Sequence, residues 1–472
     1  MDAMRSAPSA PLGLLHAASL IAEKYDVRLI DARLSNPDEL LRKELDDNTL
    51  FVGVTCHTGP MIRSALGFSK LVRSLSDIPI VWGGTHASLS PEQTLENPAI
   101  DICVIGEGEV TVLEVADTLA AGGALEGVKG IAYKKNGEII RNEPRDLLPA
   151  DQWPEAAYQL VDLSRYLPAY EGMRSLFFQA SRGCPFECGF CYNSPFNLRK
   201  YRKLEAEKVL ERLRNLRKTI DFEDVYFVDD NFFVDLAWAE AIGKGLAEMG
   251  LAWQVQGIDI SALLRMDDNY VARIKSYGCR RLTLGVETAS ERMRRFIRKQ
   301  GTKDDIRRAV SRFEGQGMTL YASFMVGFPT ETKEEMRETV DLALELVRKH
   351  DFFRCSPFYS YSPYPGTRCL DAAVEDGYEP PKKLEDWIAA SFDDYILDKT
   401  SHGNLGRAFF EGLNLVTLFI DSKVTDYSDS LIIRTLAAIY RPIARFRAKR
   451  LFFKFMPERR LLPRFFSRYT EG

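Results

Sequence analysis

Several features are scarce in this chain of 472 residues. Its eight cysteines fall far below the density of a disulfide-stapled secreted domain. No apolar run reaches the roughly 18 residues of a membrane-spanning helix, and the segment Leu413–Ile420 is too short. The N-terminus also lacks a signal-peptide pattern, because polar and charged residues interrupt its apolar part. A cytoplasmic protein is therefore expected.

Charge of one sign is lacking as well. The chain has 63 Lys and Arg against 67 Asp and Glu, a net charge of −4. A nucleic-acid partner is not expected, because such proteins usually carry a basic excess. With 45% hydrophobic and 28% charged residues the composition is that of a globular protein, and the length suggests about three domains.

Helical and strand patterns alternate over residues 1–125. Short apolar segments at Val27–Asp31, Leu50–Thr55, Ile78–Trp82 and Asp101–Ile105 predict strands between helices. This rhythm is typical of an α/β fold with a doubly wound parallel sheet of the Rossmann type. Because the chain opens on a helix, the sheet is expected to lack its first strand. Ligands of such sheets bind at the carboxyl ends of the strands.

The remaining chain divides into three further regions. Residues 126–170 predict a hairpin, turning at Asn136-Gly137, and a linker. Residues 171–375 hold six strand-and-helix units, which predict a partial (β/α)6 barrel of the TIM type. Residues 376–472 predict a helical C-terminal region.

Three of the cysteines lie close together. Cys184, Cys188 and Cys191 form a C-x3-C-x2-C motif directly after a predicted strand. Three thiolates on one loop can bind three irons of a [4Fe–4S] cluster and leave the fourth iron open. A zinc knuckle completed by a distant residue, or three unrelated core cysteines, is the alternative.

This motif, with Phe190 before its last cysteine, resembles the signature of the radical S-adenosylmethionine (SAM) superfamily. The resemblance implies a cluster whose open iron binds SAM and cleaves it to a 5′-deoxyadenosyl radical. That radical would abstract hydrogen from an unactivated carbon. An external electron donor such as flavodoxin or ferredoxin is then expected.

Other predicted strand ends agree with this resemblance. Asp229 and Asp230 end the second barrel strand, where relatives bind the SAM amino group, although helix capping would also explain them. Glu287 ends the fourth strand, where the equivalent Glu contacts the SAM ribose; a surface carboxylate is the alternative. Gly327 and Pro329 belong to a Gly-Phe-Pro-Thr-Glu-Thr segment that resembles the family's turn after the fifth strand.

The segments Pro11–Leu15, Val81–Ala87 and Gly106–Glu109 resemble the cobalamin-binding domain of B12-dependent radical SAM proteins. That group includes C-methyltransferases and the anaerobic magnesium-protoporphyrin monomethyl ester cyclase. The resemblance implies cobalamin as a third cofactor. The residues expected to bind cobalamin lie at strand ends and in glycine turns. They are Thr55, His57, Gly83, Gly84, Gly106, Glu107 and Gly108.

Two departures leave alternatives open in this domain. It has no Asp-x-His-x-x-Gly motif, so no histidine is marked as a cobalt ligand. His57 follows a strand and could face the corrin, or it could be an ordinary polar loop residue. A domain that keeps the fold but has lost the cofactor is the other alternative.

The end of the chain is strongly basic. Residues 441–470 contain ten Lys and Arg, one acid and seven aromatic residues. This mixture predicts peripheral contact with a membrane, binding of RNA, or a helical cap whose Arg side chains cover apolar surface.

We therefore predict a radical SAM enzyme that performs cobalamin-dependent C-methylation of a small-molecule, lipid-like or macrocyclic substrate. A radical cyclase, oxidase or rearrangement enzyme on the same scaffold is the first alternative. A non-catalytic metal-binding protein is the second.

Overall fold

The computed structural model describes residues 7–170, 172–389, 407–420, 431–453 and 455–456. The parts of the predicted C-terminal region and basic segment at 390–406, 421–430, 454 and 457–472 lie outside the described residues. Among the described residues, no helix combines the length and apolar character needed to pass through a bilayer.

The N-terminal sheet has five strands in the order β1-β2-β3-β4-β5. The first three strands are parallel, and the predicted hairpin extends the sheet as the antiparallel pair β4 and β5. The strands are β1 Val52–Thr55, β2 Ile80–Gly83, β3 Ile102–Val104, β4 Ile131–Lys135 and β5 Glu138–Arg141. The helices are α1 Leu12–Ala17, α2 Pro37–Glu44, α3 Met61–Leu75, α4 Thr85–Leu89, α5 Pro91–Glu96 and α6 Glu109–Ala120.

The strand predicted at Val27–Asp31 is wrong, and no strand precedes β1 in the described residues. Leu29 and Ile30 still pack their side chains against the hydrophobic clusters of the barrel and of the N-terminal sheet. A strand needs a neighbour for its backbone N–H and C=O groups, and no described strand pairs with this segment. The apolar pattern of this segment indicates that its side chains are buried, but it does not indicate that its backbone pairs with a strand.

The second sheet is an open half-barrel of seven strands. Its order is β14-β13-β12-β11-β10-β7-β6; β7 and the other predicted barrel strands are parallel, and β6 is a short antiparallel edge. A separate pair, β8 Ser181–Arg182 and β9 Arg202–Lys203, flanks the cysteine loop. The barrel strands are β6 Ala169–Tyr170, β7 Met173–Phe178, β10 Asp224–Phe227, β11 Ala252–Ile258, β12 Cys279–Glu287, β13 Thr319–Val326 and β14 Phe353–Ser360.

Helices cover the outside of this half-barrel. Each helix from α9 to α14 begins at an Asp, Ser or Thr whose side chain accepts a hydrogen bond from a backbone N–H of the first turn. The helices are α7 Asn193–Asn197, α8 Ala206–Arg217, α9 Leu236–Glu248, α10 Ile260–Arg265, α11 Asp268–Ser276, α12 Glu291–Phe296, α13 Lys303–Ser311, α14 Lys333–Lys349, α15 Arg368–Glu375, α16 Arg407–Ile420 and α17 Leu431–Arg450.

A buried ion-pair network joins the two sheets. Arg182 of β8 donates hydrogen bonds to Glu107 at 3.0 Å and to Glu109 at 2.6 Å. Arg202 of β9 donates to the same Glu107 carboxylate at 2.8 Å. The Arg182 guanidinium also lies 4.5 Å from the ring centre of Trp153 in the linker. Burial alone would raise the pKa of Glu107, but Arg202 and Arg182 hold it below its usual value.

The chain also returns to the N-terminal sheet after the barrel. A short 3-10 helix at Leu384–Ala389 buries Trp387 in the hydrophobic cluster beside α3 and α5. Gln93 and Asn97 donate to Pro381 O and Glu385 Oε1, each at 2.8 Å. The predicted helical C-terminal region therefore begins with a segment that packs against helices α3 and α5 of the N-terminal domain.

We expect Arg182→Gln to destabilise the protein by about 3–5 kcal/mol, because it removes one partner of a buried ion-pair network. Arg174→Gln is the matched control: the Arg174 and Asp221 side chains are 47% and 70% exposed, so its loss should destabilise the protein far less than the loss of Arg182. Urea unfolding followed by tryptophan fluorescence measures both. Equal losses would contradict the special role of the Arg182 network.

Candidate active site

The cysteine loop leaves the first barrel strand at its carboxyl end. Cys184, Cys188 and Cys191 lie between β8 and α7. The loop is fixed from both sides, because Gly189 N donates to Ile297 O and Cys369 N donates to Gly189 O, each at 2.8 Å. Its position therefore depends on α12 and α15 as well as on its own strand.

The three thiols are partly exposed and form no disulfide. Burial raises the pKa of the Cys184 thiol, and raises that of Cys188 to about 11. Asn231 points its amide Nδ2 at Cys184 Sγ from 3.6 Å. These thiols would ionise readily only beside positive charge or iron.

Asp229 and Asp230 hold the start of this loop. Asp229 is 1% exposed and accepts hydrogen bonds from Ala180 N and from the backbone and hydroxyl of Ser181. Asp230 accepts from Gly183 N at 2.8 Å. Burial raises the pKa of Asp229 to about 7 and also raises that of Asp230. Neither caps a helix, since Asp235 caps α9, so helix capping does not explain them.

A buried pair of opposite charges lies near the cysteines. Its members follow β11 and α12. Lys299 Nζ lies 3.0 Å from Asp259 Oδ2, and both side chains are under 10% exposed. Burial would lower the pKa of Lys299, but the charges of Asp259, Cys188 and Glu287 raise it above its usual value. The protonated amine therefore supplies positive charge beside the thiol of Cys188.

The sequence analysis missed both Lys299 and Asp259. Asp259 directly follows β11, so the reasoning that selected Asp229 and Glu287 as strand-end carboxylates could have found it. Lys299 follows α12 and ends no strand, so no sequence pattern marked it.

Glu287 is buried at the end of β12, which makes a surface carboxylate wrong. It is 8% exposed, has a left-handed φ of 65° and accepts from Ser323 Oγ at 3.2 Å. Its burial raises its pKa. A side chain held in such strained backbone next to Lys299 is a good candidate for ligand binding.

The Gly327–Thr332 turn follows β13. Glu331 Oε2 accepts from Gly327 N at 2.6 Å and Phe328 N at 3.1 Å, while its Oε1 is buried without a hydrogen bond in the described structure. Thr330 takes the left-handed φ of 63° that glycine prefers, and Arg292 donates to its carbonyl at 2.7 Å. Pro329, the residue before Thr330, is buried.

Phe190 anchors the cysteine loop to this turn. Its ring lies 5.7 Å from the ring of Phe328, within a buried cluster that also holds Met293 and Tyr361.

The carboxyl edge of the N-terminal sheet holds the other predicted ligands. His57 is exposed and shares a 2.8 Å hydrogen bond between its Nδ1 and Thr85 Oγ1. Thr55 pairs with Gly83 across β1 and β2. Gly84 has φ +90°, and a Cβ there would lie 2.7 Å from Cys56 O. Gly84 is therefore required by the fold itself.

In the Gly106–Glu109 turn, some residues border open space and others contact the rest of the protein. Gly106 has φ +82° and no atom within 4 Å of where a Cβ would stand. Gly108 instead packs against Ala17 of α1, and Glu107 is committed to its two arginines. Of this motif, Gly106 alone borders open space.

The two carboxyl edges meet, because α4 of the N-terminal sheet packs against α7 at the end of the cysteine loop. The residues fit the three groups that the resemblance implies. Among the described residues no three metal-binding side chains converge on one point, but each cysteine of a cubane cluster binds a different iron. Lys299 and Glu287 offer opposite charges to the amino acid part of SAM. Open space at Gly106 and the exposed His57, both at the carboxyl edge of the N-terminal sheet, suit a corrin.

Comparison with known proteins agrees with this architecture. Residues 178–343 match the radical SAM superfamily and residues 6–116 match the B12 binding domain. An uncharacterised methyltransferase of Pyrococcus horikoshii is 32% identical over 377 residues, 77% of this chain and 78% of that protein. The anaerobic magnesium-protoporphyrin IX monomethyl ester cyclase of Rubrivivax gelatinosus is 26% identical over 330 residues, 67% of this chain and 58% of that protein.

A solved structure shares the whole fold. The radical SAM methyltransferase TsrM from Kitasatospora setae, with its tryptophan substrate and a SAM analogue bound, has a TM-score of 0.69 at 17% identity, and covers 95% of this chain and 97% of that one. Fold and site together define a radical SAM enzyme. The chain belongs to the radical SAM family whose members carry an N-terminal B12-binding domain.

A cleft of about 290 Å³ opens on the outer side of the cysteine loop. Cys188, Gly189 and Cys191 line it, as do Arg298 and Arg368. Glu187 pairs with Arg298 at 2.5 Å and Arg199 at 3.3 Å. The cleft brings solvent close to two of the three thiols.

We expect Gly84→Ala to destabilise the protein by about 1–3 kcal/mol, because its backbone conformation is essentially restricted to glycine. Gly83→Ala is the matched control, since the nearest atom to its Cβ would be Val104 Cβ at 3.9 Å; it should cost less than about 1 kcal/mol. Urea unfolding compares the two variants. A larger loss for Gly83→Ala would show that Gly84 does not fix this turn.

Proposed function

We propose that this protein transfers a methyl group to an unactivated carbon of a small molecule, with cobalamin as the methyl carrier. The observation that carries the proposal is the contact of α4 with α7. It sets the carboxyl edge of the B12-type sheet beside the cysteine loop, so one substrate could reach both cofactors. The Pyrococcus relative is also named a methyltransferase.

Cys184, Cys188 and Cys191 would hold the [4Fe–4S] cluster, and cobalamin would lie at Thr55, His57, Gly83 and Gly106. When bound, the cluster supplies the electron that cleaves SAM, and cobalamin supplies a transferable methyl group. Asn231 would donate to the cluster thiolate of Cys184. Asp229 and Asp230 would act as positioning residues for the loop, rather than as direct partners of the SAM amino group.

The buried pair of Lys299 and Glu287 would bind SAM at its charged and hydroxyl groups. A protonated lysine suits the SAM carboxylate, and a carboxylate suits the amino group or the ribose hydroxyls. Asp259 keeps the Lys299 amine charged and fixes its position. The backbone of Gly327 and Pro329 would border the same ligand.

The substrate we propose is lipid-like or macrocyclic, and the location cytoplasmic. The name of the Rubrivivax relative specifies a macrocycle and a cyclase, so a radical cyclase, oxidase or rearrangement enzyme is the second candidate. The two differ in whether the product gains a methyl group.

We expect anaerobically reconstituted protein, reduced with dithionite, to convert SAM into 5′-deoxyadenosine. Cys188→Ala should lower this rate at least about 100-fold, because the cluster loses a ligand. Cys355→Ala is the control, since Cys355 is buried in β14 outside the loop. Absence of 5′-deoxyadenosine, or normal activity of Cys188→Ala, would contradict the radical reaction.

The same preparation separates the two candidates. Purification with hydroxocobalamin should give near-stoichiometric corrin absorbance. SAM with a deuterated methyl group, supplied with a metabolite extract, should yield a product that carries the label. Radical cleavage with neither corrin nor label would favour the cyclase or oxidase.

We propose further that the electron donor, an acidic protein such as flavodoxin or ferredoxin, docks over the cleft beside Cys188. Arg298 and Arg368 line this cleft together with Glu187 and Asp371. Arg199 pairs with Glu187. The exposed cations of these three arginines would attract acidic side chains of the donor. Leu198, 61% exposed next to Arg199, adds an apolar contact. An electron donor bound there would be separated from the cluster only by the cysteine loop.

Arg199→Glu with Arg368→Glu should slow flavodoxin-driven SAM cleavage about tenfold at low ionic strength, because charge attraction sets the association rate. Dithionite-driven cleavage should be unchanged. Lys333→Glu, an exposed first-turn residue of α14, is the control for charge reversal elsewhere. An equal loss with both reductants, or no loss with flavodoxin, would disprove this docking site.

A further inference from the structure

Helix α17 exposes four of its large apolar residues and buries three of its alanines. Ala437, Ala444 and Ala448 are fully buried, and the helix packs against α16 and α14. Leu436, Ile439, Ile443 and Phe446 are 41%, 66%, 48% and 59% exposed. Globular helices normally do the reverse, because burial of Ile and Phe drives folding.

The exposed residues form one continuous stripe. Positions 436, 439, 443 and 446 are spaced three and four residues apart, so they lie on one face of the helix. Phe452 and Phe455, 47% and 72% exposed, continue beyond its end. These six are more than half of the eleven exposed large hydrophobic residues in the described chain. The others are scattered singly, but a cluster of this kind marks an interaction site.

The charged side chains of α17 itself are all positive. Residues 431–450 contain six Lys and Arg and no Asp or Glu. Arg434, Lys449 and Arg450 are exposed, while Arg445 and Arg447 donate to the carbonyls of Ile420 and Phe452 at the helix ends. The sequence from 451 to 470 adds five more cations and one acid.

We infer that α17 binds the surface of an anionic lipid bilayer with this stripe. An apolar face flanked by cations lies in the plane of a membrane, with its rings among the acyl chains and its cations at the headgroups. A protein partner would have to supply an acidic and an apolar surface together, whereas an anionic bilayer has both properties everywhere. The described helices do not span a bilayer, so the contact is peripheral.

This surface belongs to the catalytic half of the molecule. Helix α16, the partner of α17, packs on β14. Its buried Phe410 ring would lie 3.2 Å from a Cβ at Gly327 in the turn after β13. Membrane contact through α17 would therefore hold the half-barrel close to the lipid, whatever reaction it performs.

The test is co-sedimentation of the purified full-length protein with vesicles of phosphatidylcholine, with and without phosphatidylglycerol. Wild-type protein should bind the anionic vesicles, and high salt should weaken binding. A variant with Ile439→Ser, Ile443→Ser and Phe446→Ser should bind at least about tenfold more weakly. Arg434→Glu with Lys449→Glu and Arg450→Glu should remove the preference for phosphatidylglycerol.

The matched control replaces three exposed apolar residues elsewhere, with Met61→Ser, Ile139→Ser and Val374→Ser. These side chains are 42%, 37% and 44% exposed, and the variant should bind vesicles like wild type. Thermal unfolding and gel filtration of all variants complete the test. An unchanged melting temperature and elution volume for the stripe variant, together with lost binding, support the inference.

Several results would overturn it. Wild-type protein that binds neither vesicle, or a stripe variant that binds normally, removes the membrane as the partner. A stripe variant that melts several degrees lower would mean that other parts of this chain cover the stripe. A wild-type dimer that becomes monomeric in the stripe variant would assign the surface to a second copy. None of these measurements requires SAM, cluster or cobalamin.

Discussion

The contact of Arg182 with Glu107 and Glu109 determines how the two halves of this protein meet. Arg182 stands two residues before the first cysteine of the loop, and both glutamates stand in the glycine turn after β3. Buried charges are costly unless they are paired. The half-barrel and the N-terminal sheet can satisfy these groups only when their carboxyl edges face each other. That arrangement brings α4 against α7 and gives the molecule one shared site.

Contacts with distant segments also fix the position of the cysteine loop. Its backbone is held by carboxylates from the next strand, Asp229 and Asp230, and by Ile297 and Cys369 from elements much later in the chain. Its charge environment is set by Lys299, which arrives from a loop after α12. The position and the charge environment of the cysteines thus depend on four separate segments of the chain, including the loop itself.

Much of this was predictable from local patterns. Six parallel strands of the half-barrel follow from short apolar runs between helices. The cysteine spacing marked the loop, because three thiols so close together serve few other purposes. Patterns failed where a residue's partner is distant in sequence. Glu107 looked like a ligand of a glycine-rich turn, but it is committed to Arg182 and Arg202.

The sequence by itself determined the two sheets, the cysteine loop and the polar strand ends, since all of these follow from periodicity and spacing within short segments. Only the tertiary structure decided that Lys299 lies beside Asp259 and Glu287, and that Asp229 and Asp230 face the loop backbone. It also decided that no described strand pairs with Val27–Asp31 and that α17 turns three of its four alanines inward. Ion pairs, sheet pairing and the buried side of a helix depend on which distant segments come together. No local pattern records that information.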